Sequence, residues 1–208
     1  MINPKPTALD LPVPTLEQLP DTTARYLGIC QEKLGMVPNV LAAYSHNLPQ
    51  FDAFAQLYNC LMLGESGLSA LEREMIAVVV SSANHCYYCL TAHGAAVRQY
   101  SEDPILGEQL VMNYRAADLS PRHRAMLDFA DRLTRHPDQT TEADRQALRD
   151  AGFSDTEIWD IASLTGFYNM TNRLAGATEM VPNPEYHSQY RDLPAAPRAE
   201  ARQSQITK

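Results

Sequence analysis

What most constrains this chain is where its prolines fall. Five of the fourteen lie within residues 1–20, at positions 4, 6, 12, 14 and 20, and Pro182, Pro184, Pro194 and Pro197 lie within residues 181–208. A proline removes a backbone donor and fixes φ, so neither end can be a continuous helix. Residues 1–20 therefore read as an extended arm lying on a surface. Residues 183–208 read as a second arm, and the last dozen have the composition of a disordered tail. Between the arms the pattern is helical throughout. Candidate helices cover roughly 22–34, 38–46, 49–63, 69–82, 85–100, 104–114, 120–135, 141–151 and 154–180, the last broken in its middle. Ser69-x-x-Glu72 and Ser154-x-x-Glu157 fit the capping box, and Ser120-Pro121 puts proline at a first helical position. Gly35 and Gly152 sit where helices should stop. Ile76 to Val80 would suit a buried strand on periodicity alone, but a capping box opens the run and no hairpin turn flanks it. The expected fold class is all-α.

At 208 residues the chain suits one domain or two small fused repeats, with enough length for a real core. A weak repeat is visible. Glu74 lies twelve residues before Cys86 and fifteen before Cys89, as Glu157 does before Asn169 and Asn172, each glutamate following a capping serine. This divides the helical domain, residues 21–182, into a thiol-bearing half at about 21–115 and a thiol-free half at about 116–182. A net charge of −8 and a pI near 5.2 argue against nucleic acid or an anionic membrane as the main partner. No apolar run approaches the roughly 18 residues of a membrane span. The first twenty residues lack a charged-then-apolar signal pattern, so the expectation is a soluble, cytoplasmic protein. There its four cysteines are not a disulfide framework. Cys30 and Cys60 fall in apolar helical stretches and read as core, as do Met36, Met62 and Met75. The close pair, Cys86 and Cys89, is either redox-active or metal-binding.

The candidate site is the stretch from Asn84 to His93. On a helix, Cys86, Cys89 and His93 are spaced i, i+3, i+7 and fall within about 60° of one another. Cys89 and His93 form an i, i+4 pair, so an imidazole reaches that thiol. Asn84 reads as an N-cap, which places Cys86 in the first turn, where free N–H groups and the dipole favour a thiolate. In one unbroken helix Glu74 would point about 120° away from Cys86; a break near Ser82–Asn84 lets it turn back toward the thiols. A thiolate nucleophile needs a base, a second cysteine closes the disulfide, and a carboxylate orients or recharges the imidazole. Zinc is the sharpest rival, although one helix would supply three ligands and no second Cys/His pair exists to complete a set. The remaining alternative is a purely structural buried pair. Asn169, Asn172 and Arg173 read as a structural polar cluster.

The spacing Glu74-x(11)-Cys86-x(2)-Cys89-x(3)-His93 resembles the signature of the AhpD-like alkylhydroperoxidases, within the carboxymuconolactone decarboxylase superfamily. More closely, the chain is similar to that superfamily's "peroxidase-related" proteins. It shares their Leu34-Gly35-Met36-Val37-Pro38-Asn39, Leu148 to Asp155, and Phe167-Tyr168-Asn169 with Asn172-Arg173-Leu174, and the resemblance covers about residues 20–182. It implies an AhpD-like helical bundle and a peroxidase of organic or hydrogen peroxides. Cys89 would be the attacking thiol, Cys86 its resolving partner, His93 the base and Glu74 the far end of a proton relay. The redox-active Cys86–Cys89 disulfide would serve in place of any cofactor, with no metal. AhpD has a histidine just before the second cysteine; here Tyr88 stands there, with His85 nearby on the other side of Cys86. A tyrosine hydroxyl passes a hydrogen bond but is a poor base. Implied partners are a dithiol reductant, lipoylated or thioredoxin-like, and further copies of the chain in a homo-oligomer (dimer, trimer or hexamer). Two other readings remain: a carboxymuconolactone-type decarboxylase, whose chemistry needs no CxxC, and a non-enzymatic scaffold or redox-sensing adaptor.

Overall fold

A computed structural model of the protein describes residues 2–192, so the expected disordered tail lies outside the described residues. Among the described residues there is no strand. The helices are α1 (Asp21–Leu34), α2 (Asn39–Tyr44), α3 (Leu48–Tyr58), α4 (Ala70–Ala83), α5 (Tyr87–Ser101), α6 (Pro104–Asn113), α7 (Pro121–Arg135), α8 (Glu142–Asp150), α9 (Asp155–Ala177) and the short α10 (Glu185–Ser188). Both capping boxes close: Ser69 and Glu72 exchange side-chain-to-backbone hydrogen bonds, as do Ser154 and Glu157. Ser120 accepts from the N–H of His123 with Pro121 at the first position of α7. Gly35, at φ +77°, ends α1 in the left-handed conformation that only glycine adopts freely.

Helix α4 is the axis of the fold. Every residue from Glu72 to Ser81 is buried, and α5, α6, α7 and α9 pack around it. A helix apolar around its circumference belongs in the interior, which is why Ile76 to Val80 lacks amphipathic periodicity. Its polar residues are satisfied at one end. Glu72 pairs with Arg122 at 2.9 Å, and Arg73 donates to the carbonyls of Leu61, Gly64 and Leu68.

Three expectations need correction. First, α9 is unbroken over 23 residues. Its polar side chains bond the helix's own preceding turn instead of disrupting it: the Thr165 hydroxyl donates to Ile161 O and the Asn169 amide to Thr165 O. Second, the 49–63 element divides into α3 and a π-helical turn, Asn59–Leu63, that turns outward before Gly64. Cys60 sits exposed on that turn and Cys30 is only half-buried, so neither is core. Third, the capping boxes put Glu72, not Glu74, in register with Glu157. Met36, Met62 and Met75 are buried as expected.

The N-terminal arm finds its surface on its own chain. Pro6 and Thr7 are buried, Ala8 N–H donates to Thr178 O, and Val181 N–H donates to Pro6 O.

Candidate active site

The chain reverses between α4 and α5. Asn84 is the C-cap of α4, not the N-cap of α5, and its amide is engaged elsewhere, donating to Asn169 Oδ1 at 3.0 Å and Asn172 Oδ1 at 2.9 Å. His85 takes the left-handed conformation, φ +54°, and is exposed. Cys86 then occupies the N-cap of α5, its carbonyl accepting from Leu90 N–H and its N–H donating back to Ser81 O at 3.0 Å. No side-chain capping bond closes there, and the backbone N–H groups of Tyr88 and Cys89 in the first turn favour the Cys86 thiolate.

The reversal brings α5 back along α4, and Glu74 meets His93. The imidazole Nδ1 lies 2.6 Å from Glu74 Oε2, with side-chain exposures of 14% and 9%. A carboxylate only accepts, so Nδ1 points its hydrogen at Glu74 and Nε2 is the nitrogen left for proton exchange. The Tyr168 ring packs edge-on against the imidazole, 4.7 Å between centroids, and its hydroxyl points away to Met62 Sδ at 3.1 Å. The imidazole closes no hydrogen bond to either sulfur among the described residues.

Cys89 and His93 share an apolar cavity of about 140 Å³. Six of the ten tyrosines line it: Tyr26, Tyr44, Tyr58, Tyr88, Tyr168 and Tyr186. Burial holds Tyr58, Tyr88 and Tyr168 well above the usual phenol range, so these phenols stay neutral. Tyr88 Oη accepts from Val40 N–H at 3.0 Å, which ties α5 to the start of α2. Tyr186 reaches the cavity from α10. The buried Arg98 holds that segment down, donating to Tyr186 O at 2.8 Å and Gln189 O at 3.0 Å.

Cys86 does not line this cavity. It borders a neighbouring groove of about 340 Å³ with His85, Tyr87, Asn172 and Glu179, which shares Tyr88, Ala175 and Met180 with the cavity wall. The two sulfurs, each 4% exposed, thus stand between two spaces. Cys86 is lowered to about 7. The Cys89 thiol directed at its sulfur does most, the backbone N–H groups of Cys89 and Tyr88 and the charge of His93 add to it, and burial opposes. Cys89 is pushed well up by Cys86 and by burial, against a smaller downward pull from Asn172 and Ser81. Of the two thiols, Cys86 is the one held low.

The structure therefore gathers Glu74, His93 and Cys89 on the cavity side, with Cys86 beside them on the groove side. Tyr88 is in the cavity wall as a tether, and His85 lies outside at the groove. Among the described residues, no three His, Cys, Asp or Glu side chains converge to hold a metal. Sequence reasoning missed Tyr168, Tyr186 and Arg98 and treated Asn172 as structural. The i, i+4 spacing of Tyr168 and Asn172 was the available signal that one face of α9 meets the site; nothing in the Pro-rich C-terminal arm marked Tyr186.

Comparison with known proteins agrees with this architecture. The model of the carboxymuconolactone decarboxylase family matches residues 49–132, which include the reversal and both sulfurs. The crystal structure of an uncharacterized peroxidase-related protein from Silicibacter sp. TM1040 is 65% identical, with a TM-score of 0.87 over 90% of this chain and 97% of that one. An AhpD-core, peroxidase-related protein from Ralstonia eutropha JMP134 is 42% identical, with a TM-score of 0.87 over 91% and 99%. The debrominase Bmp8 shares the fold at 19% identity, with a TM-score of 0.68 over 82% and 92%. No protein of curated function matches the chain.

Proposed function

Since this chain belongs to the AhpD-like, carboxymuconolactone decarboxylase superfamily, we propose that it is a thiol-dependent peroxidase in which Cys89 attacks and Cys86 resolves. The observation that carries the reading is the buried Glu74–His93 pair, 2.6 Å apart, whose free imidazole nitrogen shares an apolar cavity with Cys89. A base oriented by a carboxylate beside a thiol is the arrangement that nucleophilic thiol chemistry needs.

In this mechanism a peroxide ROOH enters the cavity while Cys86 is protonated. Nε2 of His93 takes the proton of Cys89, and the thiolate attacks the terminal peroxide oxygen. The O–O bond breaks, Cys89 becomes a sulfenic acid, and the imidazolium returns its proton to RO⁻ to give ROH. Cys86 then ionises, favoured by the N–H groups at the start of α5, and attacks the Cys89 sulfur. The S–O bond breaks, hydroxide leaves as water after taking a proton from solvent, and the disulfide closes. A dithiol, free or carried on a lipoylated or thioredoxin-like protein, reduces that disulfide by attacking Cys86 from the groove. The apolar cavity wall favours organic peroxides over hydrogen peroxide.

Thiol counting tests the reading. One equivalent of an organic hydroperoxide should remove two thiols per chain, mapped by mass spectrometry to Cys86 and Cys89, and a dithiol should restore both and sustain turnover. An unchanged thiol count after excess peroxide would overturn it.

A further inference from the structure

The cavity beside Cys89 is more specific than an apolar wall. Phe54 and Phe167 join the six tyrosines in its lining, so eight phenyl and phenol rings surround it. Part of that lining is one continuous run of rings that starts at the proposed base. The His93 imidazole meets Tyr168 edge-on at 4.7 Å, and Tyr168 meets Phe167 at 5.3 Å. Phe167 stacks with Phe54 at 5.7 Å, and Phe54 with Tyr44 at 4.3 Å. Four helices, α2, α3, α5 and α9, contribute to the run, so the fold itself sets it. The cavity's volume, about 140 Å³, is close to the roughly 150 Å³ in which an apolar protein cavity holds one benzene molecule. Among the described residues, no Asp, Glu, Lys or Arg side chain lines it, and burial keeps the Tyr58, Tyr88 and Tyr168 phenols neutral. A charged group would find no partner there apart from His93.

We propose that this cavity is a seat for one uncharged aromatic ring, that the substrate class is aryl-substituted alkyl hydroperoxides, and that Phe54 is a specificity-determining residue. The seat is carried by the ring geometry; that its occupant is a hydroperoxide rests on the peroxidase reading above. A flat ring placed against the run meets its neighbours by face and by edge, the arrangements aromatic pairs prefer at centroid separations of about 4.5–7 Å. A saturated ring of similar size fills the same space without those contacts, and a long acyl chain exceeds the volume. Phe54 is the hub of the run: it lies between Tyr44 and Phe167, with Tyr58 at 6.2 Å. A hydroperoxide group on such a ring is held in the space that Cys89 and His93 also line. The two thiols are oxidised to the disulfide, and the hydroperoxide is reduced to the aryl alcohol and water.

The test pairs 1-phenylethyl hydroperoxide with 1-cyclohexylethyl hydroperoxide, which share a carbon skeleton and differ in aromaticity. With excess dithiol, the full chain should consume the phenyl compound with a kcat/KM about tenfold higher. Methyl linoleate hydroperoxide, uncharged but long, should be slower than either. Phe54→Leu keeps an apolar side chain and removes the ring, so it should make the phenyl and cyclohexyl compounds equal. Binding separates the seat from the chemistry and leaves the ring run untouched. Calorimetry on the Cys89→Ser protein, with 1-phenylethanol and 1-cyclohexylethanol as probes, should show the same preference without turnover, whether or not Phe54→Leu folds. Equal consumption and equal binding of the two members of each pair would overturn the proposal, as would faster consumption of the linoleate hydroperoxide than of the phenyl compound. If no peroxide is consumed while 1-phenylethanol still binds more tightly than its saturated analogue, the aromatic seat stands and the peroxidase reading falls.

Discussion

Helices α4 and α9 begin alike and end differently. Each opens with a Ser-x-x-Glu capping box, and both box glutamates, Glu72 and Glu157, pair with Arg122. Fifteen residues after each capping serine stands an asparagine, Asn84 and Asn169, and the first donates to the second. At Asn84 the chain breaks; at Asn169 it continues, the amide donating to Thr165 O and Thr134 Oγ1. The difference is a division of labour. The broken helix supplies what continuity cannot: a helix N-terminus at Cys86 and a return path that sets His93 against Glu74. The continuous one supplies what a loop cannot, a rigid wall carrying Tyr168 and Asn172 at fixed one-turn spacing. Cys86 sits on the break, and Tyr168 and Asn172, packed against the site, sit on the unbroken helix.

Five experiments press on this contrast, from the largest expected effect downward. Cys89→Ser should abolish peroxide consumption, whereas Cys86→Ser should consume one equivalent and stop as a sulfenic acid on Cys89. A sulfenate-specific reagent with mass spectrometry reads the site, and label on Cys86 in the Cys89→Ser protein would reverse the roles. His93→Asn should slow thiol oxidation by about 10²–10⁴-fold. Glu74→Gln, which keeps the shape, should slow it less and leave the far-ultraviolet spectrum intact; a wild-type rate would remove the relay, and an unfolded protein would make Glu74 structural.

The third concerns pH. The Cys86 thiol is lowered from its ordinary value to about 7, so its thiolate is present above that pH and lost as pH falls through it. Alkylation of Cys86 should therefore be half-maximal near pH 7 and move upward in Cys89→Ala, since the Cys89 thiol is the largest cause of the lowering. A midpoint near an ordinary thiol would show that the helix break confers no activation. The fourth is Arg122→Ala, which leaves Glu72 and Glu157 without their shared partner and removes a guanidinium lying 3.6 Å over the Phe153 ring. A loss of about 2–3 kcal/mol in urea unfolding is expected, and an unchanged midpoint would show that the two capping boxes stand independently. The smallest effect is on the break itself. His85→Gly relieves a left-handed backbone and should stabilise by up to about 1 kcal/mol; a loss would mean the imidazole has a role at the groove.

Legibility from sequence followed the range of the interaction. Helix starts were readable because capping boxes and N1 prolines act within four residues, and the Glu–Cys–Cys–His spacing was readable because it is carried by two consecutive elements. The break was expected one to three residues early, because Asn84 fits either cap by residue type and only the tertiary pull of Asn169 and Asn172 makes it a C-cap. A break in α9 was expected from polar residues that in fact bond within their own helix and across to α4 and α7. Cys60 looked like core because a π-helical turn, which rotates side chains out of phase, leaves no reliable local mark; Cys30 is on α1, a helix with only Thr23 and Leu27 buried. Tyr186 was invisible because the contacts that bring it to the cavity, Arg98 among them 88 residues away, are all distant in sequence.

The partition of the two sulfurs between the tyrosine-lined cavity and the groove beside Cys86 has a kinetic meaning under the proposed chemistry. In that scheme the CxxC acts as an airlock, with oxidant admitted on one side and reductant on the other, and the two co-substrates do not compete for one space. An apolar blocker lodged among the tyrosines should halt the oxidative half-cycle while a dithiol goes on opening the disulfide from outside.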